Sequence, residues 1–209
     1  MRSRLAARGL PAETYAAWRD SLQGSVGAPA RVLAWARADD DGVAIGSPAL
    51  FSVGASAHLP AAGEPAGPRG SGESGQAEEP DDAPAPGAGW RHLGWHEIEH
   101  GGWNAESRSL SWTLYGGRRG RVGLPEPGRL PELFRERVAA SIVVERFVPI
   151  RGERGVTVTA RRDLGGSGAI TWHSTLTRGL SWSTPGVTEE AARASAELQS
   201  EYGSASAGW

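Results

Sequence analysis

The chain has 209 residues, enough for one domain of ordinary size or two small halves around a sizeable apolar core. It contains no cysteine, which excludes disulfides, thiolate metal sites, iron–sulfur clusters and a cysteine nucleophile. The formal net charge of −2 hides an uneven spread: minus 4 over residues 1–89, plus 5 over 90–187 and minus 3 over 188–209, with arginine supplying all 22 basic residues.

Met1-Arg2-Ser3-Arg4 is basic, but no apolar run of signal-peptide length follows it, and nowhere do about 18 apolar residues stand together. The expectation is a soluble, cytoplasmic protein. Leu10, Tyr15, Trp18 and Leu22, with Pro11 as a helix start and Glu13 in the first turn, predict an amphipathic helix over 11–22. Alternation over Arg31–Ala38, the turn Asp39-Asp40-Asp41-Gly42 and the apolar run Val43–Ile45 predict a hairpin, and Leu50–Val53 a further short strand.

Residues 60–89 change character. They hold nothing apolar larger than alanine, many Pro and Gly, and six acids against the single Arg69. The reading is a disordered acidic insertion, a loop expansion between two strands that costs little in closure entropy.

His96-Glu97-Ile98-Glu99-His100 follows, and its letters match the helical zinc-protease signature, in which two histidines one turn apart hold the metal and the glutamate is general base. The backbone decides between readings. On a helix, Cβ atoms four residues apart lie about 5–6 Å apart, whereas on a strand they lie about 13 Å apart. Gly94 before the stretch and Gly101-Gly102 after it leave room for no more than about two helical turns, so the expectation is a tight bend between strands, fitted by the spacing of Trp95 and Ile98, with Trp95 and Trp103 pointing inward. The alternative, a zinc-dependent hydrolase or peptidase with His96 and His100 as ligands and Glu97 as base, lacks the extended pattern, because Trp103 and Glu106 stand where it needs glycine and histidine.

Ser109–Tyr115 alternates cleanly through Leu110, Trp112 and Leu114 and turns at Gly116-Gly117 into Arg121–Leu124. Pro131 and Glu132 open a helix over 130–143 whose stripe is Leu130, Leu133, Phe134, Val138 and Ile142. A strand over 147–150, an alternating run over 156–162, the turn Gly165-Gly166-Ser167-Gly168 and a second run over 169–177 predict a long hairpin. Val187, Ala191, Ala194, Leu198 and Tyr202 predict a last helix over 188–202.

Nine tryptophans raise the possibility of stacking platforms, but Trp18, Trp112 and Trp172 fall on apolar faces and predict burial, leaving Trp90, Trp182 and Trp209 less constrained. Arg161 and Arg162, with Arg151, Arg154 and Arg178 nearby, read as an arginine patch on the outward face of the late hairpin, able to bind an anionic lipid headgroup or nucleic acid, or else to protect a sheet edge.

Leu93-Gly94-Trp95-His96-Glu97-Ile98 with Trp103 following, then a hairpin, then Arg129-Leu130-Pro131-Glu132-Leu133, resembles bacterial pleckstrin-homology-like (PH-like) domain proteins. With Arg137-Val138-Ala139-Ala140-Ser141-Ile142 leading into a closing hairpin and helix, the chain is also similar to an uncharacterised group from GC-rich bacteria. The resemblance covers 30–59 and 90–202. It implies a strongly bent antiparallel sheet or partly open barrel capped by a helix, ligands met at loops or an open edge, and no catalytic residues. The chain departs from the usual seven strands, since about six are read before the helix at 130.

Together these readings give an α+β fold with N-terminal, central and C-terminal helices. Its parts are an N-terminal helix and linker (1–29), a PH-like β module with capping helix (30–144) interrupted by the insertion 60–89, a closing hairpin and helix (145–202), and a loose tail (203–209). The expected function is a non-enzymatic binding or scaffolding module without a cofactor, its partner another protein or an anionic ligand.

Overall fold

A computed structural model describes residues 9–22, 31–54 and 89–203. Among the described residues the chain is α+β, with three helices and three antiparallel sheets, none closed into a barrel. The expected single bent sheet is therefore corrected to three separate ones. The expected disorder over 60–89 and the loose tail 203–209 lie outside the described residues except for Gly89 and Gly203.

Helix α1 (Ala12–Ser21) leads into a four-stranded meander of β1 (Ala34–Arg37), β2 (Val43–Gly46), β3 (Leu50–Val53) and β4 (Arg91–Gly94). Strands β3 and β4 pair directly, Leu50 opposite Gly94 and Val53 opposite Arg91, so the insertion is carried between the two strands of one hairpin. Trp18 of α1 and Leu22 at its C-cap pack with Ile45, Ala49 and Leu50 on one side of this sheet.

After β4 the chain makes one 3₁₀ turn, Trp95–Glu97, and starts a second meander of β5 (Ile98–Asn104), β6 (Ser109–Leu114) and β7 (Arg119–Gly123). Among the described residues seven strands, against the expected six or so, thus precede α2 (Leu130–Ser141). The main core lies between the two sheets and this helix, where Phe51, Trp95, Trp112 and Phe134 meet; Phe51 contacts Trp112 and Phe134 edge to face at 5.3 and 5.4 Å. A large apolar side chain buried there contributes about 1.5–3 kcal/mol.

Helix α2 stops at Ser141, two residues short of expectation. The β-branched run Ile142-Val143-Val144 favours extended backbone, and β8 (Ile142–Arg151) begins at once. It pairs with β9 (Arg154–Arg162), and β9 with β10 (Ile170–Leu176), in the order β10-β9-β8. This third sheet has its own core, Val156 and Val158 against Ala191, Ala194 and Leu198 of α3 (Val187–Gly203). Gly155 accepts from Thr177 N–H at 2.9 Å and donates to Thr177 Oγ1 at 3.2 Å, so its backbone faces β10. Pro149, its partner on β8, therefore faces the open edge, and proline has no N–H to present there.

Candidate functional site

The 3₁₀ turn is set by its neighbours. Trp95 is fully buried and donates its indole N–H to the Ser47 carbonyl at 3.1 Å, while Glu97 Oε2 accepts from the Gly94 N–H at 2.6 Å. These bonds leave His96 folded over Gly94, where a Cβ would stand 2.6 Å from His96 Cε1. The imidazole then faces the β9–β10 turn. Its Nδ1 is buried without a hydrogen bond, 3.6 Å from Asp163 Oδ1.

Asp163 is fixed in turn. Its Oδ1 accepts from Gly165 N–H at 2.6 Å and its Oδ2 from the Ser167 hydroxyl, an Asx-type turn. Burial works against the carboxylate's charge, but the bonds from Ser167 and Gly165 and the charge of His96 outweigh it and hold the pKa below the ordinary value.

His92 on β4 stands in a closed hydrogen-bond circuit. Trp18 Nε1–H donates to Ser52 Oγ at 2.9 Å, and Ser21 Oγ donates to the Trp18 carbonyl at 2.6 Å. The Ser52 proton is then left for His92 Nδ1 at 2.9 Å, and the His92 Nε2–H for Ser21 Oγ at 3.1 Å. A neutral ring protonated on Nε2 completes all four bonds and leaves no polar proton of the circuit unused. Burial, the larger influence, pushes the His92 pKa below its ordinary value against the opposing bond with Ser21.

These groups line one open cleft of about 700 Å³, walled on one side by Ala49, Leu50, His92, Gly94, His96 and Glu97 and on the other by Asp163 and Gly165–Ser167. Among the described residues, two carboxylates and two imidazoles face it and no arginine lines it. It can accept hydrogen bonds and exchange protons.

The protease-like stretch is bent, as the flanking glycines require. His96 sits on the 3₁₀ turn and His100 on β5 with a side chain 70% exposed, its Nδ1 4.0 Å from Glu99 Oε2. Ile98 between them is buried in the core, and Glu97 is turned back onto Gly94. Among the described residues no group of three or more His, Asp or Glu is placed to hold a metal ion.

The arginines do not form one patch. Arg151, Arg154 and Arg178 are exposed at one end of the third sheet, with Arg154 resting on Gly179, whose added Cβ would lie 3.1 Å from Nη1. Arg162 is exposed at the other end, about 26 Å along β9. Arg161 is a correction: it is 2% exposed, not outward, because the second face of this sheet packs on α2 and the second meander. Its Nε–H donates to Tyr115 Oη at 3.0 Å, Nη1 to the Val138 carbonyl and Ser141 Oγ at 2.8 and 2.9 Å, and Nη2 to the Glu99 carbonyl at 3.1 Å. Beside it His173 stacks on Tyr115, ring centroids 3.6 Å apart and planes within 5°.

Sequence reasoning missed Asp163, Ser167, Tyr115 and His173's stack. The pattern Asp163-Leu164-Gly165-Gly166-Ser167 carries an Asx-turn signal, but the approach to His96 across 67 positions of sequence leaves no local mark. A scan against protein-family models and searches of curated proteins and of solved structures found no match, so the site is read from its own geometry.

Proposed function

We propose that the chain is a non-enzymatic binding module of the PH-like kind whose ligand sits in the cleft between the first sheet and the Asp163–Ser167 turn. What carries this reading is the cleft itself: about 700 Å³, within the range of small-ligand sites, with Asp163 and Glu97 already held by backbone N–H groups. The PH-like part is supported by the split of four and three strands ahead of a packed helix. The lining favours a ligand group that donates hydrogen bonds, such as an amine, amide or hydroxyl. A titration with a panel of small amines, amides and sugars, followed by backbone amide resonances, tests this. Shifts should gather at His92, Gly94 and Gly165–Ser167, and Asp163→Ala should weaken binding about tenfold, the loss of one charge-assisted hydrogen bond. Shifts scattered over the surface would overturn the reading.

A second reading, anion binding, is favoured by the three exposed arginines at the far end of the third sheet, Arg151, Arg154 and Arg178. Inorganic phosphate that shifts those residues and not the cleft would select it, with another protein or a lipid headgroup as the source of the anion.

A further inference from the structure

The wall of the cleft that carries Asp163 belongs to the β9–β10 hairpin, and this hairpin meets the rest of the molecule across a polar seam. Arg161 is its fixed part. The guanidinium is 2% exposed and directs four N–H groups at acceptors on α2 and the second meander. Those acceptors are carbonyls and hydroxyls, and the C-terminal end of α2 supplies partial negative charge in place of a carboxylate.

The movable part is His173 on β10, lying flat on Tyr115. Tyr115 already accepts Arg161 Nε–H, and the Arg161 Cζ lies 5.6 Å from its ring centroid. A second cation on the same phenol meets a guanidinium that cannot move away without losing its bonds. The charged and titratable groups acting on His173 are Arg161 from β9, His96 from the 3₁₀ turn and Glu99 from β5, with Asp163 behind His96. Of these only Glu99 favours a proton on His173.

We propose that this seam is an acid-opened latch: a proton on His173 expels the imidazole from its stack on Tyr115, loosens the β9–β10 hairpin and withdraws the Asp163–Ser167 wall of the cleft. The functional meaning, ligand release on acidification, rests on the cleft being the binding site. The structural event does not.

The sign is fixed by linkage. Burial first, then Arg161 and His96, lower the His173 pKa from its ordinary 6.5 against the pull of Glu99. An imidazole that is harder to protonate when closed leaves the seam's full stability in place above pH 6.5 and removes it as pH falls through the lowered value.

Amide hydrogen exchange on the full, ligand-free chain at about pH 7.5 and 5.5, each rate divided by the intrinsic rate at that pH, reads the latch. Protection over residues 154–176 should fall on acidification, by at most about tenfold, the limit for an open-state imidazole of ordinary pKa measured one unit below it. His173→Phe keeps a ring on Tyr115 and takes no proton, so its protection should not fall. Equal loss in both proteins, or no loss in the native chain, overturns the latch. Should His173→Phe fail to fold, titration of the His173 ring resonances in the native chain decides: the latch requires loss of protection to track that ring, and a loss while the ring is still neutral overturns it. No ligand enters the experiment, so a cleft that binds nothing would leave this result standing.

Discussion

A guanidinium shut away from water needs compensation, and Arg161 obtains it from two carbonyls, two hydroxyls and the end of a helix instead of an acid. Removing it strands those acceptors in a closed seam. Arg161→Met should therefore destabilise the chain by about 3 kcal/mol in urea unfolding, whereas Arg162→Ala, at an exposed position, should stay within about 0.5 kcal/mol. Similar losses in both would show that the buried contacts carry no special weight. The adjacent arginines show what sequence could and could not reveal. Alternation puts them on opposite faces of β9, and it marks Val156, Val158 and Ala160 as one apolar face. It does not say that the other face, with Thr159 and Arg161, is covered as well, because the covering elements come from α2 and the second meander. The burial of Trp18 and Trp112 was legible, since each sits on a locally apolar face, whereas Trp172, expected buried on the same ground, is only partly so.

At the level of elements, helices α2 and α3 follow from stripes and end signals that lie within the helix itself; Val187, Ala191, Ala194 and Leu198 are buried at the expected spacing. Strand β8 was only partly legible. Its face toward α3 carries the half-buried Val144, Val148 and Ile150 but is interrupted by the exposed Arg146, which bonds Glu201 of that helix at 3.2 Å, so the alternation is broken by a polar residue. The two glycines after the paired histidines divide by role. A Cβ on Gly101 would stand 2.7 Å from the Ser111 carbonyl oxygen and 2.9 Å from Phe134, while Gly102 has nothing within 4 Å. Gly101→Ala should cost about 1–3 kcal/mol by forcing Phe134 away from β5. Gly102→Ala should be neutral or stabilise by up to about 1 kcal/mol, through the entropy of the unfolded chain. Thermal melts of the two variants check this, and equal shifts would refute the packing role of Gly101.

At the scale of the molecule, two of the three core clusters among the described residues, one around Phe51 and Phe134 and one between the third sheet and α3, meet through Arg161, the Tyr115–His173 stack and the His96–Asp163 contact. The candidate cleft opens at this junction, and for that reason its second wall was invisible to any local reading. The insertion spans the ends of one hairpin, between Gly54 and Gly89, and the β3–β4 register already brings the two strands that flank it together. Replacing residues 55–88 by a turn of about four residues should leave the fold intact and raise stability by about 2 kcal/mol, the loop-closure entropy saved. A melting temperature lowered by the replacement would instead mean that the segment contributes contacts of its own. The free side of β8 has a different consequence. A neighbouring molecule that tries to extend the sheet there meets a proline ring with no N–H to offer, so this edge resists zipping into a growing ribbon.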